Sequence, residues 1–188
     1  RTLALMIYGD LDLSVLDDLP PGRMPVKTYA TPSSKGGRAF GFVRRHAEAG
    51  RQRYIICPMI DEGDDDRASV TQYADRLRRE WLPGIAVGEL HGRMKPAEKE
   101  DVMARFAAGE LSVLVSTTVV EVGVDVPNAA VMLIENAERY GLSQLHQLRG
   151  RVGRGREQSY CILVTDAQNK EAQARMGVLC ATTDGFRV

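Results

Sequence analysis

Several features are missing from this sequence, and each absence excludes a class of protein. No G-x-x-x-x-G-K-[ST] pattern occurs in the 188 residues, so the chain has no phosphate loop with which to hold ATP by itself. No apolar run reaches the length that spans a membrane, and no signal peptide opens the chain. Lysine plus arginine and aspartate plus glutamate number 25 each, so any contact with a polyanion must come from local clustering.

Cysteine and histidine are also scarce. The three cysteines, Cys57, Cys161 and Cys180, lie far apart and are odd in number, and two of them fall in apolar, strand-like runs. We therefore expect reduced, buried thiols rather than a disulfide framework. None of the three histidines has zinc spacing to another histidine or cysteine. The sequence predicts no metal ligands in this chain.

What the chain does contain is an alternation of strand and helix patterns. This alternation predicts an α/β fold with a parallel sheet and right-handed crossovers. Residues 1–16 are predicted to be the tail of a preceding domain, 17–25 a linker, and 26–188 one α/β domain cut from something longer. Strands are predicted at 26–31, 54–60, 85–90, 111–116, 129–134 and 159–164, and helices at 35–49, 68–81, 96–108, after Ser143 and after Asp166.

Ligands of such sheets bind at the carboxyl ends of the strands, so we expect the loops after four of the strands to form the binding site. One begins at His91-Gly92-Arg93. Another begins at Thr117-Thr118, whose hydroxyls can bind a nucleic-acid backbone without reading bases or can cap a helix. Asp125 is equally consistent with a turn before Pro127, and His91 alone with a structural histidine. The acidic run at 61–66 and the basic cluster at 38–53 are interpreted as solvated surfaces.

The stretch 144–155, QLHQLRGRVGRG, has three arginines interleaved with glycines, and a fourth, Arg156, follows directly. If Ser143 caps a helix, then Gln147, Arg151 and Arg154 are spaced i, i+4, i+7. One helical face, or a helix end that runs into a glycine turn, then points two guanidinium groups at one place. Two planar, permanently charged guanidinium groups aimed at one place suit a phosphate. An exposed, salt-bridged basic helix is the alternative, but the glycines of Q-x-x-G-R-x-G-R disfavour it, because each costs up to ~1 kcal/mol inside a helix.

Together these motifs resemble the second motor lobe of superfamily 2 helicases. QLHQLRGRVGRG is similar to their motif VI and VSTTVVEVGVDVPNA to their motif V. The segments LHGRMKPAEKEDVMARF and IENAERYGLSQLHQ resemble the RecG family of bacterial branched-DNA helicases, and the similarity runs across essentially the whole chain. The transcription-repair coupling translocases share much of the sequence of these segments.

This resemblance implies a RecA-like fold and a part in ATP-driven movement along branched DNA in the bacterial cytoplasm. ATP and Mg²⁺ would be held mainly by a first lobe elsewhere in the full-length protein. The implied site residues are Arg151 and Arg154 as arginine fingers, Gln147, Gly123 and Asp125 at the nucleotide, and His91, Gly92, Arg93, Thr117 and Thr118 at the DNA.

Two other interpretations stay open from the sequence. One is a non-catalytic nucleic-acid-binding module on the same scaffold. The other is a complete small-nucleotide enzyme that uses the acidic run as a metal site. Only the last predicts ATP turnover by the isolated chain, which we expect to be inactive alone.

Overall fold

A computed structural model describes residues 26–48, 50–58, 66–117, 129–153 and 158–181. Six strands form one sheet in which every pairing between neighbours is parallel. Their order across the sheet is β1-β6-β5-β2-β4-β3. The strands are β1 (Lys27–Thr31), β2 (Gln52–Ile56), β3 (Val87–Glu89), β4 (Val113–Ser116), β5 (Ala129–Glu135) and β6 (Tyr160–Val164).

Helices cover both faces of this sheet. The chain moves outward from β1 through β2 to β3 and then returns through β4 and β5 to β6. Because parallel crossovers are right-handed, this reversal places helices from the two halves on opposite faces. The helices are α1 (Gly36–Glu48), α2 (Arg67–Arg76), α3 (Pro96–Ala107), α4 (Leu142–Arg149) and α5 (Lys170–Ala181).

The core accordingly has two halves, one on each face of the sheet. Phe40 of α1 and Leu77 beyond α2 pack with Val115 of β4 and other strand residues on the first face. Phe106 of α3 and Leu148 of α4 pack on the second. Successive strand residues alternate between the two halves, as the period of two in a strand requires. Burial on both faces explains why the strands read as apolar runs.

The predicted α/β class is confirmed, and each strand and helix predicted within the described residues is present. Boundaries differ by a few residues: the strand predicted at 54–60 is Gln52–Ile56, and the one at 85–90 is Val87–Glu89. The helix predicted at 68–81 changes to π-helical geometry at Leu77–Trp81. The proposed tail at 1–16 and linker at 17–25 lie outside the described residues, so those two assignments stay predictions.

Two polar residues at the start of β2, Gln52 and Arg53, are buried near the amino ends of the strands. Gln52 donates to the carbonyls of Phe106 and Leu111. Arg53 donates to the carbonyls of Val43 and Ser112, and burial lowers the pKa of its guanidinium to about 9. The interpretation of the basic cluster as a solvated surface is therefore wrong for Arg53, which is fully buried and donates to backbone carbonyls.

Candidate functional site

The carboxyl ends of the strands meet at one edge, here called the rim, where hydrogen bonds join four loops. Asp66, at the N-cap of α2, accepts from the backbone N–H of Gly92 at 2.7 Å and from the Thr117 hydroxyl at 2.8 Å. The carbonyl of Thr117 accepts from the hydroxyl of Tyr140 at 2.9 Å. These contacts connect the segments after β2, β3, β4 and β5, so the predicted convergence of these loops is present.

The loop after β3 is held firmly at its base. Glu89 accepts from the hydroxyl of Thr71 at 2.8 Å and from the guanidinium of Arg78 at 3.0 Å, and both donors belong to α2 and its extension. His91 is half-buried, whereas Gly92 and Arg93 are exposed. The three residues predicted to contact DNA thus lie together at the rim on a fixed base.

Thr117 is too buried to contact the backbone of a bound DNA directly. Its side chain is only 2% exposed, and its hydroxyl donates to Asp66. The hydroxyl in this conformation therefore positions the rim. Thr118, Gly123 and Asp125, which were predicted beside it, lie outside the described residues.

The interpretation of the acidic run at 61–66 as solvated is wrong for Asp66. This residue is half-buried and uses both carboxylate oxygens within the fold. Residues 61–65 are outside the described residues. The sequence missed this role because an aspartate directly before a helix predicts a local cap, and nothing in the pattern indicates that it binds two other loops.

The arginine motif has a different local structure from the one predicted. Gly141, and not Ser143, is the N-cap of α4, and the Gln144 side chain accepts from the Gly141 N–H at 3.0 Å. The helix ends at Arg149 with Gly150 as its C-cap. Arg151 therefore lies in a turn beyond the helix, so the alternative of a helix end that runs into a glycine turn is confirmed for Arg151, and a single helical face shared by Gln147 and Arg151 is not present.

Two side chains of this turn, residues 149–153, are buried in the core. Arg149 is 5% exposed and Val152 is 3% exposed, so both anchor the turn. Arg149 donates to the carbonyl of Leu179 in α5 at 2.6 Å, and burial lowers the pKa of its guanidinium. Arg151, between these two anchors, is half-buried and forms no ion pair or side-chain hydrogen bond with the part of the chain that the structure describes.

Gly153 completes the turn for two reasons. Its φ of +84° lies in the left-handed region. A Cβ added there would also lie 2.6 Å from Cγ2 of Val26, at the start of β1. A side chain at this position would therefore strain the turn. Gln147 is exposed on α4, one helical turn before Arg151, and Arg154 is outside the described residues.

The described residues have neither a metal centre nor a membrane segment. Nowhere in these ranges do three or more His, Cys, Asp or Glu side chains form a group that could hold a metal ion. None of the described helices is long and apolar enough to cross a membrane. The chemistry available at the rim is thus hydrogen bonding and positive charge.

Comparison with known proteins assigns the family. The model of the helicase conserved C-terminal domain matches residues 38–156. The chain belongs to this family. It is also similar to the ATP-dependent DNA helicase RecG of Synechocystis, with 50% identity over 99% of this chain and 22% of that protein. The chain spans about a quarter of the length of the curated relatives it matches.

Solved structures agree with the fold. A structure of RecG bound to a three-way DNA junction matches 90% of this chain and 22% of that one, with a TM-score of 0.77 and 44% identity. Domain 2 of the DEAD-box helicase Mss116p, bound to an RNA duplex, matches 75% of this chain and 54% of that one, with a TM-score of 0.58. At 18% identity the latter likeness concerns the fold alone. The RecA-like architecture expected from the resemblance is confirmed.

Proposed function

We propose that this chain is the second motor lobe of an ATP-dependent DNA helicase or translocase that acts on branched DNA in recombination and repair. The observation that carries the proposal is the arginine turn. Arg151 presents a permanent positive charge at the end of a helix and has no ion-pair partner among the described residues. The chain is 50% identical, over 99% of its length, to a protein named an ATP-dependent DNA helicase.

In this proposal Arg151 and Arg154 act as arginine fingers on a nucleotide that is gripped by a first lobe of the same protein. Guanidinium groups suit the charge that develops on a transferring phosphoryl group. Gln147, Gly123 and Asp125 would line the same cleft. The positive charge of Arg151 fits a triphosphate, and the described residues have no group of three or more acidic, histidine or cysteine side chains that could hold a metal ion, so we assign Mg²⁺ to the first lobe.

DNA contact is assigned to the loop at 91–93 and to Thr118, while the buried Thr117 positions the rim. Exposed Arg93 supplies a positive charge, which binds phosphates without regard to base sequence. Because the similar helicases are bacterial, we also propose a bacterial cytoplasmic location.

The test is ATP hydrolysis and strand separation by the intact protein. We expect hydrolysis to be stimulated by DNA, and a three-armed fork to be unwound faster than a linear duplex of the same length. Hydrolysis that is indifferent to DNA would overturn the motor assignment. Stimulation with equal rates on fork and linear duplex would overturn only the assignment to branched substrates.

A further inference from the structure

The hydrogen bonds at the rim form a continuous connection, here called the rim relay, through Tyr140, Thr117, Asp66 and Gly92. Tyr140, Thr117, Asp66 and Gly92 follow β5, β4, β2 and β3, respectively. These four strands occupy consecutive positions in the sheet, in the order β5-β2-β4-β3. One end of the relay is the loop assigned to DNA. The other end, Tyr140, immediately precedes Gly141, the N-cap of the helix that leads to Arg151.

Asp66 is the unusual member of the relay. An aspartate at an N-cap ordinarily accepts a hydrogen bond from the first turn of its own helix. Asp66 makes no such bond, although it is the N-cap of α2. Each of its two carboxylate oxygens instead accepts from a different loop. Bonds to an ionised carboxylate are stronger than those between neutral groups, so Asp66 fixes the spacing of these loops.

Packing around Asp66 leaves little freedom for the relay to shift. A Cβ on Gly92 would lie 3.3 Å from Oδ1 of Asp66, which shows that the backbone of the 91–93 loop rests directly on the carboxylate. Thr117 is almost fully buried at 2% exposure, and burial raises the pKa of Tyr140 to about 12, so its hydroxyl remains a donor. Movement of the loop therefore cannot leave Asp66 and Thr117 unaffected.

We propose that Asp66 is a positioning residue that couples DNA contact at the 91–93 loop, through the rim relay, to the start of α4, the helix that leads to the arginine turn. This inference rests on the proposed function. A contiguous chain of contacts does not by itself demonstrate coupling, so the test must measure coupling directly.

Two substitutions in the intact protein separate coupling from simple stability. Asp66→Ser removes the reach to both loops but supplies a hydroxyl that can cap α2. Asp66→Asn keeps the size of the side chain and one acceptor oxygen. Asp101→Ala, at an exposed acid in α3, is the matched control. The quantities measured are ATP hydrolysis without DNA and the DNA concentration that gives half of the maximal stimulation.

For Asp66→Ser we expect this half-stimulating DNA concentration to rise about threefold to tenfold while hydrolysis without DNA is unchanged. Asp66→Asn should recover most of the loss, and Asp101→Ala should match the wild type. A second arm combines Asp66→Ser with Thr117→Val. If the relay acts as a unit, the double variant should be no worse than the poorer single variant.

The remaining outcomes overturn the inference. Wild-type stimulation by DNA in Asp66→Ser, or independent effects that add in the double variant, would show that Asp66 does not couple the two ends. An equal loss of hydrolysis with and without DNA would assign Asp66 to stability alone. If the wild-type protein shows no stimulation by DNA, the proposed function fails first and the inference falls with it.

Discussion

Gly153 shows how one residue determines what the arginine turn can present. It adopts φ of +84° and lies against Val26, so the chain turns sharply directly after Arg151 and Val152. The sequence marked the glycines of this motif as unusual for a helix. It could not show that the helix stops at Arg149, because that depends on the N-terminal start at Gly141 and on the burial of Arg149 against α5.

Replacing Gly153 by alanine should destabilise the chain by about 1–3 kcal/mol, since a residue with a Cβ is strained at this φ and meets Val26. Urea unfolding followed by the fluorescence of Trp81, the sole tryptophan, measures the change. Gly41→Ala is the control, because Gly41 lies within α1 and a Cβ there meets nothing within 4 Å. That variant should be stabilised by up to ~1 kcal/mol. Equal stability of Gly153→Ala and wild type would refute the strained turn.

At the scale of elements, the order of strands and helices could be read from the sequence because the central strands are buried on both faces and most of the helices have an apolar side. The connections between elements could not. Thr117 and Asp66 carry ordinary loop chemistry, and only the sheet order β5-β2-β4-β3 brings their loops together. Thiol burial was predicted correctly: all three cysteines are free and buried.

Two of these thiols give the packing of β6 against α5 a measurable pH dependence. Burial raises the pKa values of Cys161 and Cys180 to about 12. In the unfolded chain each thiol ionises near 8.5, so above that pH the unfolded state binds fewer protons than the folded state. The free energy of unfolding should therefore fall as pH rises from about 8.5 towards 12, by at most ~1.4 kcal/mol per thiol and pH unit.

Urea unfolding at pH 8, 9 and 10 tests this dependence. The variant that carries both Cys161→Ala and Cys180→Ala is less stable at pH 8 because it loses buried volume, but its stability should depend less steeply on pH than that of the wild type. Parallel pH dependences for the two proteins would contradict the assignment of the effect to these thiols.

At the scale of the whole molecule, the lobe has half of the features that a nucleotide motor needs. It has a rim that includes the loop proposed to bind DNA, and a separate turn, packed against the start of β1, that presents Arg151, but the 188 residues contain no phosphate loop. ATP bound between two lobes can drive their opening and closing when it is hydrolysed. The family and the fold could be predicted from sequence motifs, and the site residues stay a prediction. The contacts between the loops at the rim depend on the order of the strands in the sheet.

The central claim is that Arg151 acts on a nucleotide held by another lobe, and single-turnover ATP hydrolysis by the intact Arg151→Ala variant tests it most directly. Arg105→Ala, at an exposed arginine of α3 paired with Glu110, is the control. We predict that Arg151→Ala lowers the hydrolysis rate by about 10³-fold or more while the affinity for DNA is retained. Hydrolysis within about threefold of the wild-type rate would contradict the account, because the loss of an arginine that stabilises charge in the transition state should slow the reaction far more.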